Sequence, residues 1–268
     1  MIDNPRSPRV RAVAKLAKKS RRQEAGLFLV EGPQAVREAL SHASGDVVDV
    51  FMTSHAFSKN SDLVALAEGL GIEIEQVTDQ VLEQMADTTT PQGVVAVCQM
   101  HNQPLESVVN AESKLLVVLD RVSDPGNAGT IIRVAVAAGA DGVIVTSESV
   151  DIYNPKVVRS TTGSIFHIPV VTGVDWSEAV AALKGSNIQV IAADMSGQPL
   201  PVLANSGVLA KPTAWLFGNE AHGLEDEALA ASDHTASVPQ FGPLESMNLA
   251  TAAAVCVYQS AFAQHPEG

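Results

Sequence analysis

Short apolar runs alternate with amphipathic stretches along almost the whole chain. In the first hundred residues four runs read as strands: LFLVEG (27–32), VVDVFMT (47–53), IEIEQV (72–77) and GVVAVCQM (93–100). Between them, PQAVREALSHA reads as a helix with Pro33 in its first turn, and SDLVALAEGLG (61–71) as a helix closed by glycine. DQVLEQMAD (79–87) reads as a third helix, with Asp79 as its N-cap. The polar, proline-bearing stretch HNQPLESVVNAES (101–113) lacks a long apolar period and is expected to be a linker. From Lys114 the alternation restarts, with strands expected at 114–120, 142–146, 168–172, 188–193, 213–217 and 235–238 and helices between most of them. The pattern predicts an α/β protein: a domain over 1–100, the linker, and a domain over 114–268 with a largely parallel sheet covered by helices on both faces. Ligands on such sheets bind beyond the carboxyl ends of the strands.

At 46% hydrophobic and 18% charged residues, the chain has the composition of a folded protein rather than a disordered one. No run of eighteen apolar residues predicts a membrane span, and the basic N-terminus is followed by no apolar core of a secretory leader. Cys98 and Cys256 sit inside apolar runs, which predicts buried, reduced thiols in a cytoplasmic protein. The seven histidines show no HExxH or cysteine–histidine spacing, so the chain is expected to be metal-free.

A net charge of -13 argues against a nucleic-acid partner until its distribution is considered. Eight of the seventeen Lys and Arg residues (Arg6, Arg9, Arg11, Lys15, Lys18, Lys19, Arg21 and Arg22) lie in the first 22 positions, against the single acid Asp3. Val10, Val13 and Leu16 recur there at helical spacing. One face of this helix is free to dock while the other offers cations to a polyanion.

Three corners carry candidate chemistry. The first, SDPGNAGTIIRVAVAAGADGVIV (123–145), joins two strand runs through a glycine turn and a helix. It departs from the GxGxxG dinucleotide turn, and the next strand ends in Val145–Thr146 without the acid that would hold a ribose. A helix starting near Gly129 places Asn127 at its boundary and Arg133 in its first turn. Arg133 among apolar neighbours is either a surface charge or the partner of an anion. The second corner, AWLFGNEAHGLEDEAL (214–229), places Glu220 in a glycine-bracketed loop at a strand end, as a hydrogen-bond acceptor or as a charge favoured by a helix dipole. In the third, ASVPQFGPLESMNLATAAAVCVYQSAF (236–262), Ser246 and Asn248 open an alanine-rich helix, and Ser246 is a candidate cap.

Together these corners resemble the SpoU (TrmH-type) RNA ribose methyltransferases of the SPOUT class, over nearly the whole chain. The motif N-x-G-x-x-x-R stands as Asn127-Ala-Gly129-Thr-Ile-Ile-Arg133; FGNEAHGL is close to the family's GNEGxGL, and VPQFGPLESMNLATAA to its third motif. TTTPQGVVAV (88–97) and YNPKVVRSTTGSIFHIPV (153–170) look like further family stretches. Ala221 stands in place of a family glycine, Gln240 of a methionine, Met247 of a leucine and Ala250 of a serine. The resemblance implies a trefoil knot in the C-terminal domain, a ribosomal-protein-like α/β/α N-terminal domain that binds substrate, S-adenosylmethionine as cofactor and a homodimer. It assigns functional positions to Asn127, Arg133, Glu220, Ser246 and Asn248, and cofactor contacts to Gly218, Asn219, Val238 and Met247. RNA contacts are expected at Arg9, Arg11, Lys18, Lys19, Arg21, Arg22 and Arg159. The implied reaction is methylation of an RNA ribose 2'-hydroxyl, in ribosomal RNA rather than tRNA. The rival readings are a nicotinamide-dependent enzyme and a non-catalytic RNA-binding protein.

Overall fold

The computed structural model describes residues 1–243 and 246–266. Leu244 and Glu245, inside the third motif, and the final Glu267 and Gly268 lie outside the described residues. From the N-terminus come α1 (Pro8–Lys15), α2 (Lys19–Ala25), β1 (Leu27–Glu31), α3 (Pro33–His42) and β2 (Val47–Thr53). Next are α4 (Ser54–Lys59), α5 (Ser61–Gly69), β3 (Ile74–Val77), α6 (Asp79–Met85) and β4 (Val94–Gln99). The second half carries β5 (Leu115–Leu119), α7 (Pro125–Ala137), β6 (Gly142–Thr146), α8 (Pro155–Thr161), β7 (Val170–Val174) and α9 (Trp176–Gly185). It ends with β8 (Gln189–Pro199), α10 (Leu200–Asn205), β9 (Thr213–Phe217), α11 (Asp226–Ala231), β10 (His234–Ser237) and α12 (Leu249–Gln264).

The chain divides into two units, Met1–His101 with Asp151–His167, and Asn102–Val150 with Ile168–Gly268. In the first unit a four-stranded sheet runs β1-β4-β2-β3, with β4 antiparallel to both neighbours and β2 parallel to β3. Val10, Val13 and Leu16 are buried in its core, as their spacing predicts. The basic segment is two helices, however, not one. The buried Arg22 guanidinium donates to the carbonyls of Leu16 (2.7 Å) and Ala17 (2.9 Å), which the end of α1 leaves without helical partners, and to Asp151 Oδ2 at 2.5 Å. Thr78, not Asp79, caps α6, its hydroxyl accepting from the Val81 N–H; Asp79 is the first helical residue. The short helix α4, capped by Thr53, was not expected, because six residues are too few to show a period.

The second unit holds a six-stranded parallel sheet in the order β10-β8-β9-β5-β6-β7. Every residue of β5, β6 and β9 is buried, which is why these strands read as unbroken apolar runs rather than as alternation. The stretch expected as a linker packs here instead: Leu105, Val108 and Val109 are buried in this unit's core, in a segment too short to show periodicity. Strand β8 runs on to Pro199, six residues past its expected end. A side chain at Gly197 would sit 2.4 Å from the backbone of Thr235, so only glycine lets β10 approach there. The buried face of α12 carries Ala250, Ala253, Cys256, Val257, Ser260 and Ala261. Ser260 accepts a 2.9 Å hydrogen bond from the indole of the fully buried Trp215, satisfying the one polar group of that side chain. Both cysteines are buried, and burial pushes each thiol up to about 12. No helix among the described residues is long and apolar enough to cross a membrane.

Candidate active site

The loops that follow β5 and β9 meet, with the start of α12, at the carboxyl ends of the central strands of the parallel sheet. Helix α7 begins at Pro125, not near Gly129: Asp124 is its N-cap, its carboxylate accepting the Asn127 N–H at 2.7 Å, and proline occupies the first helical position, where it lacks no needed N–H. Asn127 therefore lies within the first turn and is 9% exposed, while Arg133 lies further along the helix.

Glu220 is the centre of the arrangement. Its Oε1 accepts from the Asp124 N–H (3.0 Å) and the Asn127 amide (3.1 Å), and its Oε2 from the Ser123 N–H (3.0 Å) and hydroxyl (2.9 Å). Desolvation alone would raise its pKa, but the Ser123, Asn127 and Asp124 donors outweigh it and hold the carboxyl at about 2. Such a carboxylate is a weak proton acceptor at neutral pH, so its chemistry here is to fix loops rather than to take a proton. Asn248 caps α12, accepting the Thr251 N–H, and its own amide donates to Asn127 Oδ1 at 3.0 Å. Asn127 thus links the second and third corners. Ser246 is not the cap; it is exposed and lines a pocket two residues upstream.

The glycine-bracketed turn has its own logic. Asn219 and Gly223 exchange backbone hydrogen bonds of 3.0 and 2.8 Å, and the Asn219 side chain accepts from the N–H groups of Ala221 and His222 and donates to the Arg121 carbonyl. A side chain at Gly218 would lie 2.6 Å from the Gly223 carbonyl oxygen, so Gly218 serves the turn and does not line the pocket. Gly223 has φ +69, whereas Ala221 is not among the residues with positive φ, so the alanine at the departure from the family motif carries no backbone strain.

Beside this network lies a pocket of about 280 Å³, close to the lower end of the usual small-molecule range. Asn127, Asn219, Glu220, Val238, Ser246, Met247 and Asn248 line it, which brings together seven of the nine residues expected to form the site; Gly218 and Arg133 stand outside. Its wall also includes Phe217, Leu249 and Ala252, together with the carboxylates of Asp194 and Glu220, and no Lys, Arg or His among its described lining residues. This donor set suits a ligand with an apolar ring and positive charge, and is a poor match for the two phosphates of a dinucleotide. Asp194 escaped the sequence reading because β8 was expected to stop at residue 193; an acid just past an expected strand end was the available signal.

Arg133 is exposed, and its side chain makes no hydrogen bond or ion pair with any described residue. The cations expected to touch RNA all belong to the first unit and divide into two sets. Arg11, Lys18 and Lys19 are exposed. Arg22 is 1% exposed and so is a buried structural cation, which corrects the expectation that it faces RNA. Arg9 pairs with Asp49 (2.6 Å) and Glu75, Arg21 with Glu24, and Arg159 with Glu31 (2.9 Å) and Asp87 (3.0 Å). Glu24 stands at helical i,i+3 spacing from Arg21, but sequence spacing gives no sign of the other acids, which lie 40 to 128 positions away.

Residues 114–258 match the model of the SpoU rRNA Methylase family, and residues 29–104 match that of RNA 2'-O ribose methyltransferase substrate binding. The 23S rRNA (guanosine(2553)-2'-O)-methyltransferase RlmP of Bacillus subtilis is 34% identical over 96% of this chain and 97% of its own. The 23S rRNA (uridine(2479)-2'-O)-methyltransferase of Streptomyces viridochromogenes is likewise 34% identical, over 92% of this chain and 86% of its own. Among solved structures, an AdoMet-bound rRNA methyltransferase from Sinorhizobium meliloti superposes with a TM-score of 0.83 at 29% identity, covering 97% of this chain and 96% of that one. The motifs, the loop network they form and the full-length similarity agree: the chain belongs to the SpoU rRNA Methylase family.

Proposed function

We propose that the protein methylates a ribose 2'-hydroxyl of RNA, with 23S ribosomal RNA as its substrate and S-adenosylmethionine as its methyl donor. The observation that carries this is the Glu220–Asn127–Asn248 network, which ties three separate segments together beside one pocket. When bound, S-adenosylmethionine supplies a methyl group already activated on a sulfonium. Val238, Met247 and Asn219 hold it, and Asp194 and Glu220 give the pocket a negative potential that suits a cation. Arg133 acts as an electrostatic anchor, its guanidinium meeting the developing alkoxide or the neighbouring phosphate; arginine is too weak an acid to serve easily as a base. Asn127, Glu220, Ser246 and Asn248 position the loops, so that alignment of the reacting groups supplies much of the rate.

RNA binding falls to the first unit through Arg11, Lys18 and Lys19. The two full-length relatives described above act on 23S rRNA and cover this unit as well as the second, which supports ribosomal over transfer RNA. The trefoil knot of the second unit and assembly into a homodimer belong to the same reading. Val255 and Phe262, exposed on α12, form an apolar face suited to a second copy. The test is to incubate the purified protein with S-adenosylmethionine and unmodified 23S rRNA or bulk tRNA, then map ribose methylation by mass spectrometry. One new 2'-O-methyl site in 23S rRNA is expected; methylation of tRNA alone, or of neither, overturns the reading.

A further inference from the structure

One cluster in the first unit takes no part in the proposed methyl transfer. Glu38 and His42 lie one turn apart on α3, and His167 closes the segment Asp151–His167. One ligating atom from each lies within 4.8 Å of the other two. Glu38 Oε2 is 2.7 Å from His167 Nε2 and 3.6 Å from His42 Nε2, and the two imidazole centroids are 4.0 Å apart. The opposite oxygen, Oε1, accepts a 2.7 Å hydrogen bond from the Gln34 amide one turn earlier. The carboxylate is therefore held from behind with its free oxygen turned to the histidine pair. Gly163 makes the approach possible: at φ +96, a side chain there would lie 2.5 Å from Glu38 Cγ.

As an ordinary hydrogen-bonded cluster this arrangement is incomplete. One imidazole satisfies the carboxylate at 2.7 Å, while the second, at 3.6 Å, is too far for a hydrogen bond. A cation with nitrogen and oxygen ligands would draw both rings to the same point. We propose that Glu38, His42 and His167 bind a divalent transition-metal ion of the zinc type, with water in the remaining position. Two imidazoles and one carboxylate match the donor preference of zinc, whereas calcium and magnesium select oxygen ligands. Gln34 is the outer partner that orients the ligating carboxylate. The half-open surroundings, with side chains of His42 and His167 47% and 30% exposed, leave room for the water. The ion joins residues 129 positions apart in sequence and staples the Asp151–His167 segment to α3.

The full chain, stripped with chelator, is titrated with Co²⁺ while the visible absorption of four-coordinate cobalt is followed, and then with Zn²⁺ as competitor. One equivalent is expected to bind. His42→Ala and Glu38→Gln each weaken binding by more than about a hundredfold, and Gln34→Ala by about tenfold, the scale of losing a residue that only orients a ligand. Because His42 is exposed, His42→Ala keeps the melting temperature of the metal-free parent, and Zn²⁺ raises the melting temperature of the parent but not of the variant. Absence of binding overturns the proposal, as do variants that bind as tightly as the parent, since the ion would then belong to other histidines.

Discussion

Arg22 and Arg133 show two uses of one side chain. Arg22, in the first unit, is buried with two carbonyls and a carboxylate around its guanidinium. Arg133, in the second, is exposed and has no partner among the described residues. The carboxylates divide the same way: Glu31, Asp87 and Asp151 pair with arginines, whereas Glu220 is held by neutral N–H and O–H donors and keeps its charge uncompensated. A buried cation must be paired to be tolerated, so its charge is committed to architecture. A charge fixed by neutral dipoles, or left facing solvent, remains free to act on a ligand.

The sharpest way to break this contrast is Arg22→Ala. It leaves Asp151 without its partner and the Leu16 and Ala17 carbonyls unsatisfied, and is expected to destabilise the protein by about 3–5 kcal/mol in urea denaturation. A loss below about 1 kcal/mol would mean the pair is no structural anchor. Arg133→Ala should do the reverse, leaving the melting temperature unchanged while kcat falls by about 10²–10³, the scale of losing one electrostatic donor to a transition state. Full activity in a folded Arg133→Ala protein would remove the assignment.

Glu220→Gln turns donors against donors and should lower activity on the order of tenfold. Its pH signature is more specific. The folded carboxyl sits at about 2, below its unfolded value, so its stabilisation is full above pH ~4.5 and is lost as pH falls toward 2. The stability gap between parent and variant should therefore close over that range; a constant gap would show that Glu220 is not the titrating group. Asn248→Ala removes the cap of α12 and is expected to cost about 1 kcal/mol, read from thermal melts. Smallest of all, Lys18→Ala or Lys19→Ala should reduce the salt dependence of RNA binding by about one unit of slope each, with no change at Arg22-dependent stability. An unchanged slope would take these lysines out of the RNA surface.

Much of the fold was legible where burial is strongly patterned. The strands at 142–146 and 213–217 lie where the apolar runs place them, because strands buried on both faces are almost wholly apolar, and β2 at 47–53 follows with its last four residues buried. Misread places were those where the deciding contact is not local. Leu105, Val108 and Val109 looked like linker because three apolar residues show no period, yet they fill the core of the second unit. The start of α7 was misplaced because Pro125 and Gly126 resemble a turn, although proline at a first helical position followed by a capped Asn127 N–H is a helix start. In the site, motif residues could be named individually, but not Asp194, whose presence depends on β8 continuing past its apolar part.

By itself, the sequence determined the class of fold, the order of strands along the chain, the three motif corners and the clustering of positive charge at the N-terminus, because each is written in local periodicity, turn chemistry or composition. Tertiary structure alone decided which charges are available. Whether Arg9, Arg22 and Arg159 face solvent or a carboxylate, and whether Glu38 meets His167, depends on partners tens to more than a hundred residues away, and the Coulomb and hydrogen-bond energies that choose between those fates act over a few ångströms of space, not along the chain.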